Sequence, residues 1–401
     1  MLWAAMAMAV AAFAASGDGQ TAGDSARVHR IELEGVSGLI LHTNRFLTGR
    51  NPEVRTMNHA AVVRLKYAFM PPEESMEARL YKGAYQGVGL SLHDFNAQLG
   101  TPVSLYLFQG ATVKTLAPRL AMNYEWDFGL TYGWKPYDRE RNPFNAVIGS
   151  HMTAYIDVGF YLRWMLSRQW DVNLGASITH YSNGNTAMPN GGLNVAGAKL
   201  SVAYYINRKA QADGKPAMTA PHEKGWHADI TLYGAWKKKG VDTSEGAYAI
   251  PGTFGVAGLN FNPMYSLNPW LNLGGSVDMQ YDHGANIDID EDALRKPYWA
   301  GTEANIHIPS WHRQVALGLS ARAEFVMPIF TINFGIGHNL INTRTTDMRG
   351  FYEVLALKIA LARRLYLHIG YSLYDFYYPN NLMLGVGYRI NLKKNKTQTE
   401  R

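Results

Sequence analysis

The segment HYSNGNTAMPNGGLN carries His180, a serine two residues later and an asparagine twelve residues beyond that serine. Those three residue types can serve as base, nucleophile and orienter. The histidine takes the serine proton, and the asparagine carbonyl holds the other ring N–H in place. An asparagine orienter fixes the tautomer without contributing charge. The same residues are ordinary at a strand end entering a loop, so the surrounding elements must decide between the two readings.

Upstream, Trp170, Val172, Leu174, Ala176 and Ile178 alternate with Asp171, Asn173, Gly175, Ser177 and Thr179. Side chains at i and i+2 of a strand share a face, so His180 and Ser182 continue the apolar set. On the returning segment the apolar set is Ala196, Ala198, Leu200, Val202 and Tyr204, and two residues back it reaches Asn194. All three polar residues therefore fall on one apolar face of adjacent strands. Unpaired polar groups are costly on such a face in lipid, and pairing with one another answers that cost.

Composition narrows the setting. In 401 residues there is no cysteine, which excludes disulfides and thiolate chemistry. Glycine is plentiful at 39, aromatics make up 12% and charged residues only 17%, which suits an all-β chain with an apolar exterior. The net charge of +6 decides neither for lipid nor for nucleic acid. Residues 1–15 read as a signal peptide, with Ala12-Phe13-Ala14 offering the small–x–small cleavage pattern, although the basic start is missing. Beyond them no run reaches the ~18 apolar residues of a membrane helix. A membrane protein of this kind must cross as a closed barrel, and the expected location is the outer membrane of a Gram-negative cell.

Period-two alternation recurs almost everywhere after residue 27, as in Ala228, Ile230, Leu232, Gly234 and Trp236 against Asp229, Thr231 and Tyr233. A soluble sandwich alternates too. Segments of ~10 residues, tryptophans at segment ends (Trp126, Trp134, Trp164, Trp170, Trp236, Trp270) and alternating short and long connections favour a transmembrane barrel. The short connections include MLSRQW, MYSLNPW, VMPIF and LARRLY; the long ones are 135–149, 181–193, 237–250, 283–311 and 340–349. The expectation is a single-domain antiparallel β-barrel over 27–392 with about sixteen strands, twelve or fourteen remaining open, and a disordered tail at 393–401. Two features sit awkwardly. The polar linker at 207–226 is long for a periplasmic turn, and WDVNLGASITHYSN faintly echoes FTINFGIGHNLINT, where Leu340 stands in the serine's place after His338.

The run His180-Tyr181-Ser182-Asn183-Gly184, closed by Asn194, resembles the active-site motif of outer membrane phospholipase A, a twelve-stranded barrel with a lipid-facing Ser–His–Asn triad. With Pro189-Asn190-x-Gly192 it also resembles the lipid A 3-O-deacylases, eight-stranded barrels with a His-x-Ser-Asn motif and a glutamate where Asn194 stands. The deacylase resemblance extends over residues 28–207. It implies an outer-membrane serine esterase that removes an ester-linked acyl chain from lipid A, with Ser182 as nucleophile, His180 as base and Asn194 as orienter. Asn190, Asn183 and Gly184 would be the oxyanion donors. Phospholipase A activity on glycerophospholipids is the alternative within enzymes. A non-catalytic porin-like or hydrophobic-solute barrel, with lumen-facing Lys199, Lys358, Asp229 and Arg163, is the alternative outside them.

The phospholipase resemblance would also bring calcium, but the loop from Gly184 to Leu193 has no carboxylate to hold it. No metal or cofactor is expected. The acidic run Asp288–Asp292 lacks the glycine and closing glutamate of a calcium loop. Lys237, Lys238 and Lys239 suit lipid A phosphates or a solvated rim equally. The expected partners are lipopolysaccharide or phospholipid in the outer membrane and no nucleic acid; a homodimer is left open.

Overall fold

The computed structural model describes residues 27–72, 75–208, 224–243, 246–250, 252–289, 306–342, 345 and 347–392. The signal-peptide segment, the 393–401 tail and Asp290–Asp292 lie outside them. The chain divides into two units, residues 1–221 and residues 222–401.

In the first unit the strands are β1 Val28–Ile40, β2 His59–Met70, β3 Tyr85–Asp94 and β4 Val103–Ala117. They continue as β5 Leu120–Tyr132, β6 Met152–Met165, β7 Trp170–Ser182 and β8 Leu193–Ile206. Each pairs antiparallel with the next, and β8 returns to β1, so the eight close into a barrel. The second unit begins with β9 Gly225–Lys237, followed by a small hairpin of β10 Gly240–Thr243 and β11 Gly246–Ala249. Then come β12 Phe254–Asn268, β13 Leu271–Asp282 and a short pair, β14 Asp288–Ile289 with β15 Ile306–His307. The strands β16 Val315–Val326, β17 Phe330–Asn339, β18 Phe351–Ala360, β19 Leu365–Tyr374 and β20 Tyr378–Asn391 complete it. Here β20 closes on β9, again with eight strands in the ring.

Among the described residues sixteen antiparallel barrel strands are present, the number expected from the alternation. The single closure is corrected: they form two rings of eight. The reason is in the inward residues. Eight strands leave an interior that side chains just fill, and both interiors are filled. In the first, Arg64 reaches Glu34 and Asp157 at 2.9 Å each, and Lys66 reaches Glu125 at 2.5 Å. In the second, Lys358 bonds Asp229 at 2.9 Å and Glu324 at 2.5 Å, while Arg389 takes Asp229 through two 2.8 Å bonds. Lys199, Lys358 and Asp229 thus face inward as expected, but they plug the barrels instead of lining a water-filled lumen. The cavity in the second ring, lined by residues such as Tyr233, Asp278 and Arg322, has a volume of about 30 Å³, room for a water molecule or two.

The outward faces are apolar. Leu174 and Ile178 are each 59% exposed, whereas Asp171, Asn173, Ser177 and Thr179 on the alternate positions of the strand are buried. Trp164, Trp170 and Trp270 are exposed at strand ends, as an interfacial girdle demands. Trp126 and Trp134 are corrected. Both are buried, Trp126 donating to Gln109 Oε1 at 2.6 Å and Trp134 to Thr153 Oγ1 at 2.9 Å.

The short-turn end of the first barrel is latched by Arg208, just past β8. Its guanidinium takes both Asp171 carboxylate oxygens at 2.8 Å and donates to the Ser167 and Arg168 carbonyls at 2.7 Å. It also lies 3.9 Å from the Tyr205 ring centroid. Arg208→Ala leaves Asp171 buried without its chief partner. We expect about 3 kcal/mol of destabilisation, read as a lower urea midpoint in micelles.

Candidate active site

His180 and Asn194 occupy directly opposed positions on β7 and β8. Their side chains meet: His180 Nδ1–H donates to Asn194 Oδ1 at 2.6 Å. An amide oxygen only accepts, so the proton is on Nδ1, and a neutral ring presents the Nε2 lone pair as a base. On the other side of β7, His180 is opposed by Ile156 and Ser182 by Ala154 on β6. The small Ala154 leaves the flank of Ser182 open.

Ser182 shares the outward face with His180, two residues on, which separates their Cα atoms by about 6.5–7 Å. Among the described residues no hydrogen bond joins them. Ser182 Oγ accepts from the Gly184 N–H at 3.1 Å instead. Resting nucleophile–base contacts are often open in this way and close when substrate binds.

The connection 183–192 is built by its own asparagines. Gly184 (φ +63°) and Asn185 (φ +64°) are both left-handed, the conformation that glycine and asparagine tolerate best. The Asn183 N–H donates to Asn190 Oδ1 at 3.0 Å, and Asn190 Nδ2 donates to Asn185 Oδ1 at 3.0 Å. The three expected oxyanion donors are therefore gathered beside Ser182, but at rest their N–H groups are turned to internal partners.

Backbone bonds tie this loop to the β5–β6 connection. Gly191 N–H reaches the Ala146 carbonyl and Gly192 N–H the Val147 carbonyl, both at 3.2 Å. Earlier in that connection, backbone N–H groups of Arg141 and Glu140 hold the Asp138 carboxyl below its ordinary range. Gly192 is required twice over: its φ is +68°, and a Cβ there would stand 3.2 Å from His180 Cε1. Gly192→Ala should cost about 1–2 kcal/mol of stability and lower activity several-fold by displacing the imidazole. Unfolding and turnover measured on the same preparation check both.

Sequence reasoning missed what lies beneath the site. Tyr181, between His180 and Ser182, points inward and is fully buried. Its hydroxyl bonds His93 Nδ1 at 3.0 Å, and Trp134 packs edge-on against its ring at 5.2 Å. Phe95 stacks on Trp134 at 5.2 Å between ring centroids. The signal was available in HYS itself, since the middle residue of an outward pair must face in.

Lys237, Lys238 and Lys239 belong to the second unit and are engaged within it. Lys237 pairs with Asp282, Lys238 donates to the Gly252 carbonyl at 2.5 Å, and Lys239 bonds Asp347 at 2.5 Å and the Gly284 carbonyl at 3.0 Å. His338 is outward and exposed on β17, as its alternation implies, with exposed Leu340 after it. A second histidine cluster, His227 with Asp229 and Glu324, has metal-ligand types within 4.8 Å of one another. Lys358 and Arg389 already neutralise both of its carboxylates, so it reads as part of the plug.

The fold defines the class, an outer-membrane β-barrel protein built of two eight-stranded rings, with His180, Ser182 and Asn194 on the outward face of the first. Residues 73–203 match the family model described as lipid A 3-O-deacylase (PagL). Residues 226–392 match that of the acyloxyacyl hydrolase C-terminal domain. The chain belongs to this family of carboxylic ester hydrolases of the Gram-negative outer membrane. No curated protein matches the chain. Among solved structures, the outer membrane enzyme PagL aligns with 13% identity over 42% of this chain and 97% of its own, at a TM-score of 0.28. The siderophore receptor PirA from Pseudomonas aeruginosa aligns with 9% identity over 93% of this chain and 82% of its own, at 0.25. The translocator domain of the autotransporter NalP from Neisseria meningitidis aligns with 10% identity over 96% of each, at 0.21.

Proposed function

We propose that the first barrel removes an ester-linked acyl chain from lipid A, with Ser182 as nucleophile, His180 as base and Asn194 as its orienter. The observation that carries the reading is the 2.6 Å bond from His180 Nδ1–H to Asn194 Oδ1 on the lipid-facing side. It leaves Nε2 free to take a proton on the face that bears Ser182.

The steps follow from the geometry. Ser182 Oγ gives its proton to His180 Nε2 and attacks the ester carbonyl, forming a tetrahedral oxyanion. Asn183 and Gly184 exchange their resting partners for that charge, with the Asn190 side chain beside them. His180 then returns the proton to the leaving sugar oxygen. Water, deprotonated by the same nitrogen, releases the fatty acid and restores Ser182. Because Asn194 carries no charge, it orients the ring without stabilising the imidazolium as a carboxylate would.

Lipid A and glycerophospholipid are incubated separately with the purified protein and with Ser182→Ala, and acyl loss is read by mass spectrometry. Loss of one chain from lipid A by the native protein alone is the expected result. Release from phospholipid only would move the substrate to glycerophospholipid. No release from either by folded protein would overturn the reading. Asn194→Leu keeps the approximate volume but lets the ring turn, and we expect turnover to fall on the order of 10²- to 10⁴-fold; steady-state kinetics on lipid A in micelles checks it.

A further inference from the structure

The β19–β20 connection in the second barrel is built against its own backbone preference. Tyr377 N–H bonds the Tyr374 carbonyl at 3.1 Å, closing a turn whose central residues are Asp375 (φ +52°) and Phe376 (φ +55°). A turn with two left-handed centres favours Asn-Gly, and a phenylalanine there is a steric outlier. The surroundings hold it in place. Glu353 Oε2 accepts the Phe376 N–H at 3.0 Å, and the Phe351 ring packs on Phe376 at 5.6 Å between centroids.

What the strain achieves is exposure. Phe376 is 65% and Tyr377 77% exposed, at the tip of the turn and beyond the last strand pair, Tyr374 with Tyr378. A girdle aromatic projects sideways from a strand instead. Beside the tip, Arg349 lies 3.7 Å from the Tyr378 ring centroid and pairs with Asp375 at 3.1 Å, both charges partly exposed. The turn stands at the same end of its barrel as the long connections, which in such barrels is the external one.

We propose that this turn is a binding site for a pyranose ring of an outer-leaflet glycolipid. Exposed aromatic faces carry the negative side of the ring quadrupole, which attracts the polarised C–H faces of a sugar. A carboxylate and a guanidinium at the edge give charge-assisted bonds to its hydroxyls. The pair is neutral, and Asp375 repels phosphate, so the site is matched to the sugar and not to the phosphates of the headgroup. The choice of glycolipid rests on the lipid A reading, whereas sugar binding itself does not require catalysis.

The test uses the full chain carrying Ser182→Ala in detergent micelles, with a glucosamine disaccharide lacking acyl chains and phosphates as probe. Saturation-transfer NMR should show binding that weakens at least tenfold with Tyr377→Ala and persists with Tyr377→Phe. Phe376→Gly relieves the left-handed strain, so it should raise the unfolding midpoint while weakening the sugar. No saturation transfer, transfer equal in all variants, or displacement of the disaccharide by equimolar inorganic phosphate would each overturn the proposal. Because Ser182 is absent throughout, failure here is distinct from failure of the hydrolase reading.

Discussion

Ser182→Ala should abolish acyl release, lowering turnover by at least about 10³-fold and by as much as ~10⁶-fold, without changing the fold. Ser182 stands at the end of β7, where its hydroxyl accepts one bond, from the Gly184 N–H at 3.1 Å. Losing that bond costs roughly 1 kcal/mol, too little to open a barrel closed on itself. His180→Ala should cause a similar loss of activity, and the double variant should be no worse than either single one, because nucleophile and base act as a unit. Mass spectrometry of lipid A against enzyme concentration measures all three. Residual turnover in Ser182→Ala within tenfold of the native protein would remove Ser182 from the mechanism. Additive losses in the double variant would separate His180 from Ser182.

The largest stability effect is expected at Arg64. It is fully buried and reaches Glu34 and Asp157 at 2.9 Å and Asp127 at 3.7 Å. Arg64→Met removes the cation and leaves Asp157 with only hydroxyl donors, from Ser177 at 2.9 Å and Thr179 at 2.5 Å. Breaking one side of a buried pair costs about 3–5 kcal/mol. Urea titration of folded barrel in micelles should show the midpoint fall accordingly. Asp157→Asn added to Arg64→Met should recover part of the loss, because the uncompensated charge is then gone. If the double variant is less stable than the single one, Asp157 is held chiefly by partners other than Arg64.

Read together, the two effects separate the barrel's faces. The inward residues are a charged plug that fixes the ring, while the outward rim carries the residues proposed for chemistry. A substitution on one face should leave the other's readout nearly intact, Gly192 and Tyr181 excepted, since they join the faces.

The sequence by itself determined the strands, their facing and the residues of the rim. Period-two alternation is a local property, and it placed His180, Ser182 and Asn194 on one face because the pleat allows nothing else. Closure is not local. Whether β8 turns back to β1 or goes on to a ninth strand depends on which edges pair and on whether the inward side chains fill the ring, and both are sums over distant residues. The long linker at 207–226 was the one local sign that a ring ends there. Tertiary structure alone decided the rest. It buried Trp126 and Trp134, which the expected girdle would have left exposed, and engaged Lys237 and Lys239 with Asp282 and Asp347. Such contacts depend on partners 17 to 108 residues away on other strands and loops, and spacing along the chain carries no record of them.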